Sequence, residues 1–490
     1  MATKISRRDL LKLAALATGG ALAGCAPKVV EVTRVVEKEV EKIVKETVVQ
    51  EKVVKETVVQ EKVVKETVVI DKSAKRAEVK ADLKWDTWRG QGTGWNQERI
   101  SSFKELYPNV NIEFRPIPWG DYSKMYTLHA SGDLGDIHAW DPGHLVFPQA
   151  IENGVIIPLD DYMAADAELD LKAWFSTFID MQKYKGKIYG LPSWGWSGHD
   201  CFISNVVHFK ELGIEPPDPM TRETSMDTLA EWIRKLYKPG KGPGEVERFG
   251  LVMMIGDASL GPICRAFGGE FLSADGKKSL LLEDANTQKG LKWAYDLIVK
   301  DKVVSTGAEL PAGHYASFAE GKVSMGMGGA LDIVRAYTPA IKDKTKAEPT
   351  AIFLPRRPDG KIPSWIFGGT WNVYSKSKYP DVAYAFIRHI TNKEGCLGFN
   401  LVAGEGAMVR PDVMEILKVR HVAYKWAELN LMEGMLFWPP VANLRGKEMR
   451  DTFVQFMQKL MDKNQPIPFE QGLEQLHNAV QKVLDMEPPV

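Results

Sequence analysis

The sequence predicts an α/β protein organised as two lobes, and two observations predict it. From about residue 81 onward, short apolar runs alternate with helix-period patterns, the βαβ rhythm of a largely parallel sheet flanked by helices. That rhythm continues over about 410 residues, more than a single compact domain commonly holds, so two α/β lobes are expected rather than one very large sheet. Composition agrees with a globular chain: 490 residues, 44% hydrophobic and 26% charged. Lys plus Arg (63) nearly cancels Asp plus Glu (64), for a formal charge of −1. Binding to nucleic acid through phosphate neutralisation therefore has no net basic excess behind it, and an acidic disordered chain is excluded. The sequence has no apolar run of about 18 residues, the length a membrane-spanning helix needs.

The elements follow in order. Leu83–Trp88 reads as a first strand, Trp95–Leu106 as an amphipathic helix ended by Tyr107-Pro108, and Val110–Phe114 as a second strand by alternation. Tyr122–Ala130 is a helix, Asp136–Trp140 a third strand and Leu145–Ile151 a helix. Further strands are expected at 202–205, 249–255, 322–327, 350–354 and 368–374. Helices are expected at 228–237, 286–300, 380–391, 411–431, 447–462 and 470–485.

The first 80 residues differ from the rest. Ser6-Arg7-Arg8-Asp9-Leu10-Leu11-Lys12, an apolar stretch from Leu13 to Ala23, and Gly24-Cys25 form a signal peptide, residues 1–24. The paired arginines resemble a twin-arginine export signal, and Leu22-Ala23-Gly24-Cys25 resembles a bacterial lipobox. That resemblance implies a lipid on Cys25 and anchoring to the outer face of the cytoplasmic membrane. Residues 25–80 are then the lipidated cysteine and a charged low-complexity spacer, in which KETVVQEKVV occurs at 45–54 and again at 55–64. Its valine pairs recur every five residues, a spacing that keeps one face of neither a helix nor a strand. A solvated linker is one reading, self-association of the copies the other. The remaining cysteines, Cys201, Cys264 and Cys396, cannot all pair with one another; buried thiols and one disulfide both remain open.

A series of short signatures runs along residues 83–485. Tyr107-Pro108-Asn109-Val110 precedes a strand. Ser131-Gly132-Asp133-Leu134-Gly135-Asp136-Ile137 leads to Trp140 in the manner of a G-x-x-P-D-I/V segment, with Leu134-Gly135 in place of the usual proline. Gly186-Lys187-Ile188-Tyr189-Gly190-Leu191-Pro192, Ser204-Asn205 with Phe209–Ile214, and Phe267-Gly268-Gly269-Glu270-Phe271 come next. Phe318–Met325, Gly368-Gly369-Thr370 and Pro380–Ile387 complete the order. In that order the chain resembles the extracellular solute-binding proteins of bacterial ABC importers, the maltose-type sugar-binding family. The resemblance implies a two-lobed periplasmic-binding-protein-like fold of type II, each lobe a mostly parallel sheet flanked by helices. It implies a solute-binding domain over 81–490, with chain crossings near Pro192–Ser197, 316–318 and 366–369. Lobe one would then hold about 82–194 and 318–366, and lobe two about 195–317 and 367–490.

The implied function is capture of a small polar ligand, a mono- or oligosaccharide foremost, by hinge closure and its delivery to ABC permease subunits, with no bond chemistry, no cofactor and no nucleic acid. Polyols, polyamines and peptides remain open as ligands. Two rival functions are a secreted glycan-active enzyme and a surface glycan sensor or adhesion protein. No metal-ligand spacing such as H-E-x-x-H or C-x-x-C is present, nor G-x-S-x-G, nor a phosphate-cradling loop. A pyranose offers C–H-rich faces and a fringe of hydroxyls, to which indole planes and Asp, Asn or Arg side chains are suited. Cleft candidates are Trp140 and Asp141 after the third strand, Trp88 and Arg89 after the first, Trp119 and Asp121 before the second helix, Trp196 near the hinge, Trp371, and Trp438. Each of these tryptophans has a core alternative; Trp174, Trp232, Trp293 and Trp426, on helical stretches, are read as core. Arg89 and Asp141 have an alternative too, a salt bridge to one another at the cleft edge.

Overall fold

The structure, a computed structural model, describes residues 76–490 other than 119, 143, 144, 405, 407, 434, 437, 440 and 490. The expected signal peptide, Cys25, nearly all of the spacer and Trp119 lie outside the described residues.

Two mixed sheets organise the chain. The strands, in chain order, are β1 (Ala81–Thr87), β2 (Val110–Pro116), β3 (Ile137–His138), β4 (Lys183–Tyr184), β5 (Lys187–Ile188), β6 (Leu191–Gly198) and β7 (Cys201–Asn205). They continue as β8 (Lys238–Pro239), β9 (Val246–Val252), β10 (Val304–Ser305), β11 (Val323–Gly328), β12 (Pro349–Phe353), β13 (Trp365–Val373) and β14 (Met435–Leu436). The first sheet has the order β14-β13-β3-β1-β2 with β6 also on β13; the second has the order β10-β9-β11-β7-β12 with β8 on β9. β1 lies parallel to β2 and to β3, whereas β13 is antiparallel to β3 and β6, and β7 to β11 and β12. The sheets are therefore more mixed than the βαβ rhythm implied.

Strand pairing also corrects the lobe boundaries. β11 and β12, in the 318–366 segment expected in lobe one, bond into the second sheet, β11 beside β9 (Val323↔Phe249) and β7 (Met325↔Ser204). The segment near 316–318 is part of a helix, His314–Ala319, and not a crossing. The chain re-enters the first lobe only through β13, and the helices that follow, as far as Val422–Glu433, bury residues in the first lobe's core. Crossings thus fall at His199-Asp200, between β12 and β13, and after β14, from where helices Gly446–Leu460 and Phe469–Leu484 join the second lobe's core.

Local sequence explains most elements. Helix Met226–Leu236 starts where the Ser225 hydroxyl accepts the Thr228 amide, and it buries Met226, Leu229, Ala230, Ile233 and Leu236 along one stripe. The helix expected over 411–431 is two, Pro411–Lys418 and Val422–Glu433, separated by a turn at 419–421. In the first core the Trp85 ring meets Trp95, Phe114, Trp371 and Phe386 edge-on, with centroids 5.1–5.7 Å apart, an arrangement the ring quadrupoles favour. Cys201, Cys264 and Cys396 are free and buried, and burial pushes each thiol up, Cys396 to about 12. Among the described residues no helix is long and apolar enough to cross a membrane.

Candidate functional site

Parallel β1 and β3 end at the same edge of the first sheet, where ligands of open α/β folds lie. β1 delivers Trp88 and Arg89 there, and β3 delivers Trp140 and Asp141. Arg89 Nη2 donates to Asp141 Oδ2 at 2.9 Å, with both side chains buried. The Tyr122 hydroxyl donates to the same oxygen at 3.4 Å, and Trp88 stands edge-on to the Tyr122 ring. Burial raises the Asp141 carboxyl above its ordinary range against the pull of Arg89, and burial followed by the Asp141 charge raises Tyr122 well above its own. The salt-bridge alternative for Arg89 and Asp141 is the one found.

The floor is the β6–β13 pair. Trp194 and Trp196, two residues apart, project from one face with Trp365 and Phe367 of β13, while Gly195 and Gly368 face Phe178 on the other. The Trp194 indole lies across Gly369, where a Cβ would fall 1.4 Å from its Nε1, so only glycine fits. The Arg89 guanidinium lies 3.5 Å from the Trp194 ring centre and the Arg335 guanidinium 3.9 Å from that of Trp196.

The second lobe supplies the facing wall. Asp257 opens helix Asp257–Ala266 and accepts from Arg450 Nε at 2.6 Å and from Trp438 Nε1 at 2.9 Å. Burial opposes the charge on Arg450, but Asp257 outweighs it and the guanidinium pKa is raised. His199, at the first crossing with φ +45°, has its imidazole pKa lowered by burial against the opposing pull of Asp332 and Asp257. Leu145 of the first lobe, at φ +60°, packs on Gly446 of the second, where a Cβ would lie 2.7 Å from the Leu145 Cβ. A cavity of about 210 Å³ continues past Trp196, lined by Leu331, Val334, Arg335, Asn400, Gly404, Gly406 and Tyr424.

Other candidates lie elsewhere. Trp140 is fully buried, its ring 5.5 Å from that of Tyr122 and 4.8 Å from that of Tyr126, so helix Tyr122–Ser131 covers it and it has no surface in a cleft. Trp371 points into the first core beside Trp85 and is likewise not a cleft residue. Trp438 is buried against Phe271 and Phe453 in the second core, its N–H spent on Asp257. Asp121 caps helix Tyr122–Ser131 by accepting the Lys124 amide at 2.9 Å. Trp174 and Trp293 are buried, and Trp232 and Trp426 pack half-buried against the cores, as expected of them. Tyr122, Asp257, Arg335, Arg450 and Trp365 were not expected; for Trp194 and Trp196 together, strand alternation in 191–198 is the signal that finds them. Among the described residues no group of three or more His, Cys, Asp or Glu could hold a metal ion.

An aromatic floor between two lobes, walled by paired Arg and Asp, defines a protein that encloses a small solute. Residues 73–395 match the family model for bacterial extracellular solute-binding proteins, more than half of the chain, and the chain belongs to that family. No curated protein matches it. Among solved structures, the ABC substrate-binding protein Lmo0181 of Listeria monocytogenes in complex with cycloalternan is similar at TM-score 0.69 and 17% identity, over 84% of this chain and 100% of that one. The GacH receptor of Streptomyces glaucescens, solved unliganded and with acarbose, is similar at 0.65 and 17%, again over 84% and 100%. UgpB of Mycobacterium tuberculosis in complex with glycerophosphocholine is similar at 0.67 and 16%, over 82% and 98%. At these identities the likeness is one of fold.

Proposed function

We propose that this chain is the exported receptor of an ABC importer, that it captures a neutral sugar between its lobes, and that it hands the sugar unaltered to permease subunits. One observation carries the choice of ligand. The tryptophan floor is bordered by three arginines, each matched by an aspartate: Arg89 with Asp141 at 2.9 Å, Arg335 with Asp332 at 3.1 Å, and Arg450 with Asp257 at 2.6 Å. Flat apolar area suits the C–H face of a pyranose, and the paired ions offer both donors and acceptors to hydroxyls while leaving no net charge to attract a polyamine or a phosphate. The oligosaccharide complexes of two structural neighbours support the same ligand class. Trp88, Arg89 and Trp196 are the proposed contacts from the first lobe and the crossing strand, with the fully buried Asp141 fixing Arg89 from behind and Trp119 retained from its position before helix Tyr122–Ser131. Closure follows because only the closed form lets both lobes touch the ligand. Cys25, outside the described residues, is the proposed lipid attachment point, after twin-arginine export. Multiple acyl chains anchor stably where one is marginal.

A thermal-shift screen of the chain against sugars, polyols, amines and phosphodiesters tests the proposal. A neutral sugar at 100 times its dissociation constant adds about 2.7 kcal/mol of stability. A response confined to amines or phosphodiesters contradicts it, and consumption of a glycan by catalytic amounts of protein makes the chain an enzyme instead. For the anchor, the mass of the mature N-terminal peptide should include a diacylglycerol on Cys25; an unmodified cysteine there rules the anchor out.

A further inference from the structure

We infer that Arg222 is the pivot of the hinge: a second-lobe side chain that holds the first two chain crossings and a first-lobe helix at one buried point, so that the lobes turn about that point and do not slide past one another. The inference goes beyond the choice of ligand, because closure on any solute needs a fixed axis, and its test uses no ligand.

Four observations support it. First, one guanidinium reaches three segments. Arg222 stands in the loop before helix Met226–Leu236, which belongs to the second core. Its Nη2 donates to Asp200 Oδ2 at 2.7 Å on the first crossing, and its Nη1 donates to the Leu354 carbonyl at 3.1 Å, where the second crossing begins. Nη2 also donates to Asn430 Oδ1 on helix Val422–Glu433, and the guanidinium lies over Phe353 at the end of β12, 4.3 Å from the ring centre. Second, the two crossings are bonded to one another at the same place, the Leu354 amide donating to the Asp200 carbonyl at 2.8 Å. Third, helix Val422–Glu433 lies against both lobes. Tyr424, Ala427 and Leu431 are in the first core, whereas Ala423 and Trp426 pack with Cys201, Ile203 and Phe353 of the second sheet. Asn430 therefore carries the first lobe's side of the clasp. Fourth, the point is dry, and the backbone bends to make it. The Arg222 and Asp200 side chains are 2% and 0% exposed and Asn430 is fully buried, so parting the pair strands a charge. Arg222 takes φ +53° and His199, beside Asp200, takes φ +45°, left-handed positions that a non-glycine residue holds at a cost. A rotation that keeps these bonds must pass its axis close to the guanidinium, because hydrogen bonds weaken steeply with lost distance and angle. The Arg356–Glu433 pair joins the same crossing to the same helix at 2.7 Å, but both its side chains are 41% exposed, and such a pair contributes little.

Arg222 is thus a positioning residue for closure, and a merely structural ion pair makes different predictions. The test is the distance between spin labels on the two lobes, read by double electron–electron resonance in the full chain without ligand. Labels go on K124C in the first lobe and Q458C in the second, both exposed positions, in a C25S background; Cys201, Cys264 and Cys396 are buried and stay unlabelled. The pair is compared in the otherwise unaltered chain and in R222M, N430L, R222M/D200L and R356A, each checked for a cooperative melting transition. The unaltered chain should give narrow distance peaks, and R222M and N430L should lose them to a broad distribution. R222M/D200L, which removes both buried charges, should melt higher than R222M and keep the broad distribution, which a pair that serves stability alone would not produce. R356A should keep the narrow peaks. Narrow peaks in either R222M or N430L overturn the pivot, as do narrow peaks that return with stability in R222M/D200L, or broadening in R356A equal to that in R222M. If R222M does not fold, N430L decides, because Arg222 keeps Asp200 there: narrow peaks in N430L overturn the pivot and a broad distribution upholds it. A chain that binds no sugar leaves these readings untouched, so the pivot and the choice of ligand fail separately.

Discussion

The Arg89 guanidinium lies 3.5 Å from the centre of the Trp194 ring while its Nη2 reaches Asp141 at 2.9 Å. One side chain thereby ties the carboxyl ends of β1 and β3 to the strand on which the chain leaves the first lobe. With both ions buried, removing one partner leaves an uncompensated charge, the costly case for buried pairs. Arg89→Ala should therefore lower unfolding free energy by about 3–5 kcal/mol in urea titrations and weaken ligand binding. The double variant R89M/D141L, which removes both ions, should recover much of the stability but not the affinity. A single variant as stable as the unaltered chain would show that the pair is solvated in solution.

Trp371 and Trp140 are fully buried, so their truncation should register in stability. Trp371→Ala opens a cavity beside Trp85 and should cost about 3–5 kcal/mol, while the fraction that remains folded binds ligand as before. A Trp371→Ala protein with an unchanged melting transition and weakened binding would return Trp371 to the cleft.

Gly446 of the second lobe meets Leu145 of the first with no room for a side chain between them. Gly446→Val should hold the lobes apart and so reduce the closed population. Affinity should fall about tenfold, equivalent to a closure penalty of about 1.4 kcal/mol, and the radius of gyration of the liganded protein by small-angle scattering should rise. Unchanged affinity and scattering would mean that Leu145 and Gly446 separate freely.

Two buried histidines and a half-buried one make stability fall with acid. Burial lowers His138 to about 3, and His208 and His389 to about 4, His208 beside the Ser324 hydroxyl at 3.0 Å and His389 beside that of Ser102 at 2.8 Å. The folded state keeps them neutral, while the unfolded chain protonates them near pH 6.5. Between about pH 6.5 and 4 the unfolded state thus binds more protons, and stability rises with pH across that window. His138→Gln should flatten the dependence of melting temperature on pH between 6.5 and 4; an unchanged slope would show that His138 is protonated in the folded protein.

What could be read from the chain, and what could not, follows from the range of the interactions. β1 and β2 are set by local alternation, and the helix Trp95–Leu106 by its buried stripe through Trp95, Arg99 and Phe103 and the Tyr107-Pro108 stop, and the structure reproduces them within a few residues. The lobe assignment of β11 and β12 depends on which distant strand each pairs with, Phe249 and Ser204 for β11, and nothing in their own residues encodes it. The turn at 419–421 lacks glycine and proline, so the break between the two helices it joins is silent. Trp88 and Trp140 both follow a strand of the first sheet and look equivalent in sequence. They differ because Tyr122 and Tyr126, on a helix between them in the chain, close over Trp140. Asp257 and Arg450 stand almost two hundred positions apart and meet only through the fold.

The most direct test of a cleft made for an uncharged ring is isothermal titration of the chain with a neutral sugar that responds in the thermal screen, alongside its uronate, amino and phosphate derivatives. One neutral sugar should bind per chain, with each charged derivative at least about tenfold weaker, because every arginine bordering the floor already has its aspartate. A charged derivative that binds more tightly than its neutral parent would contradict the account.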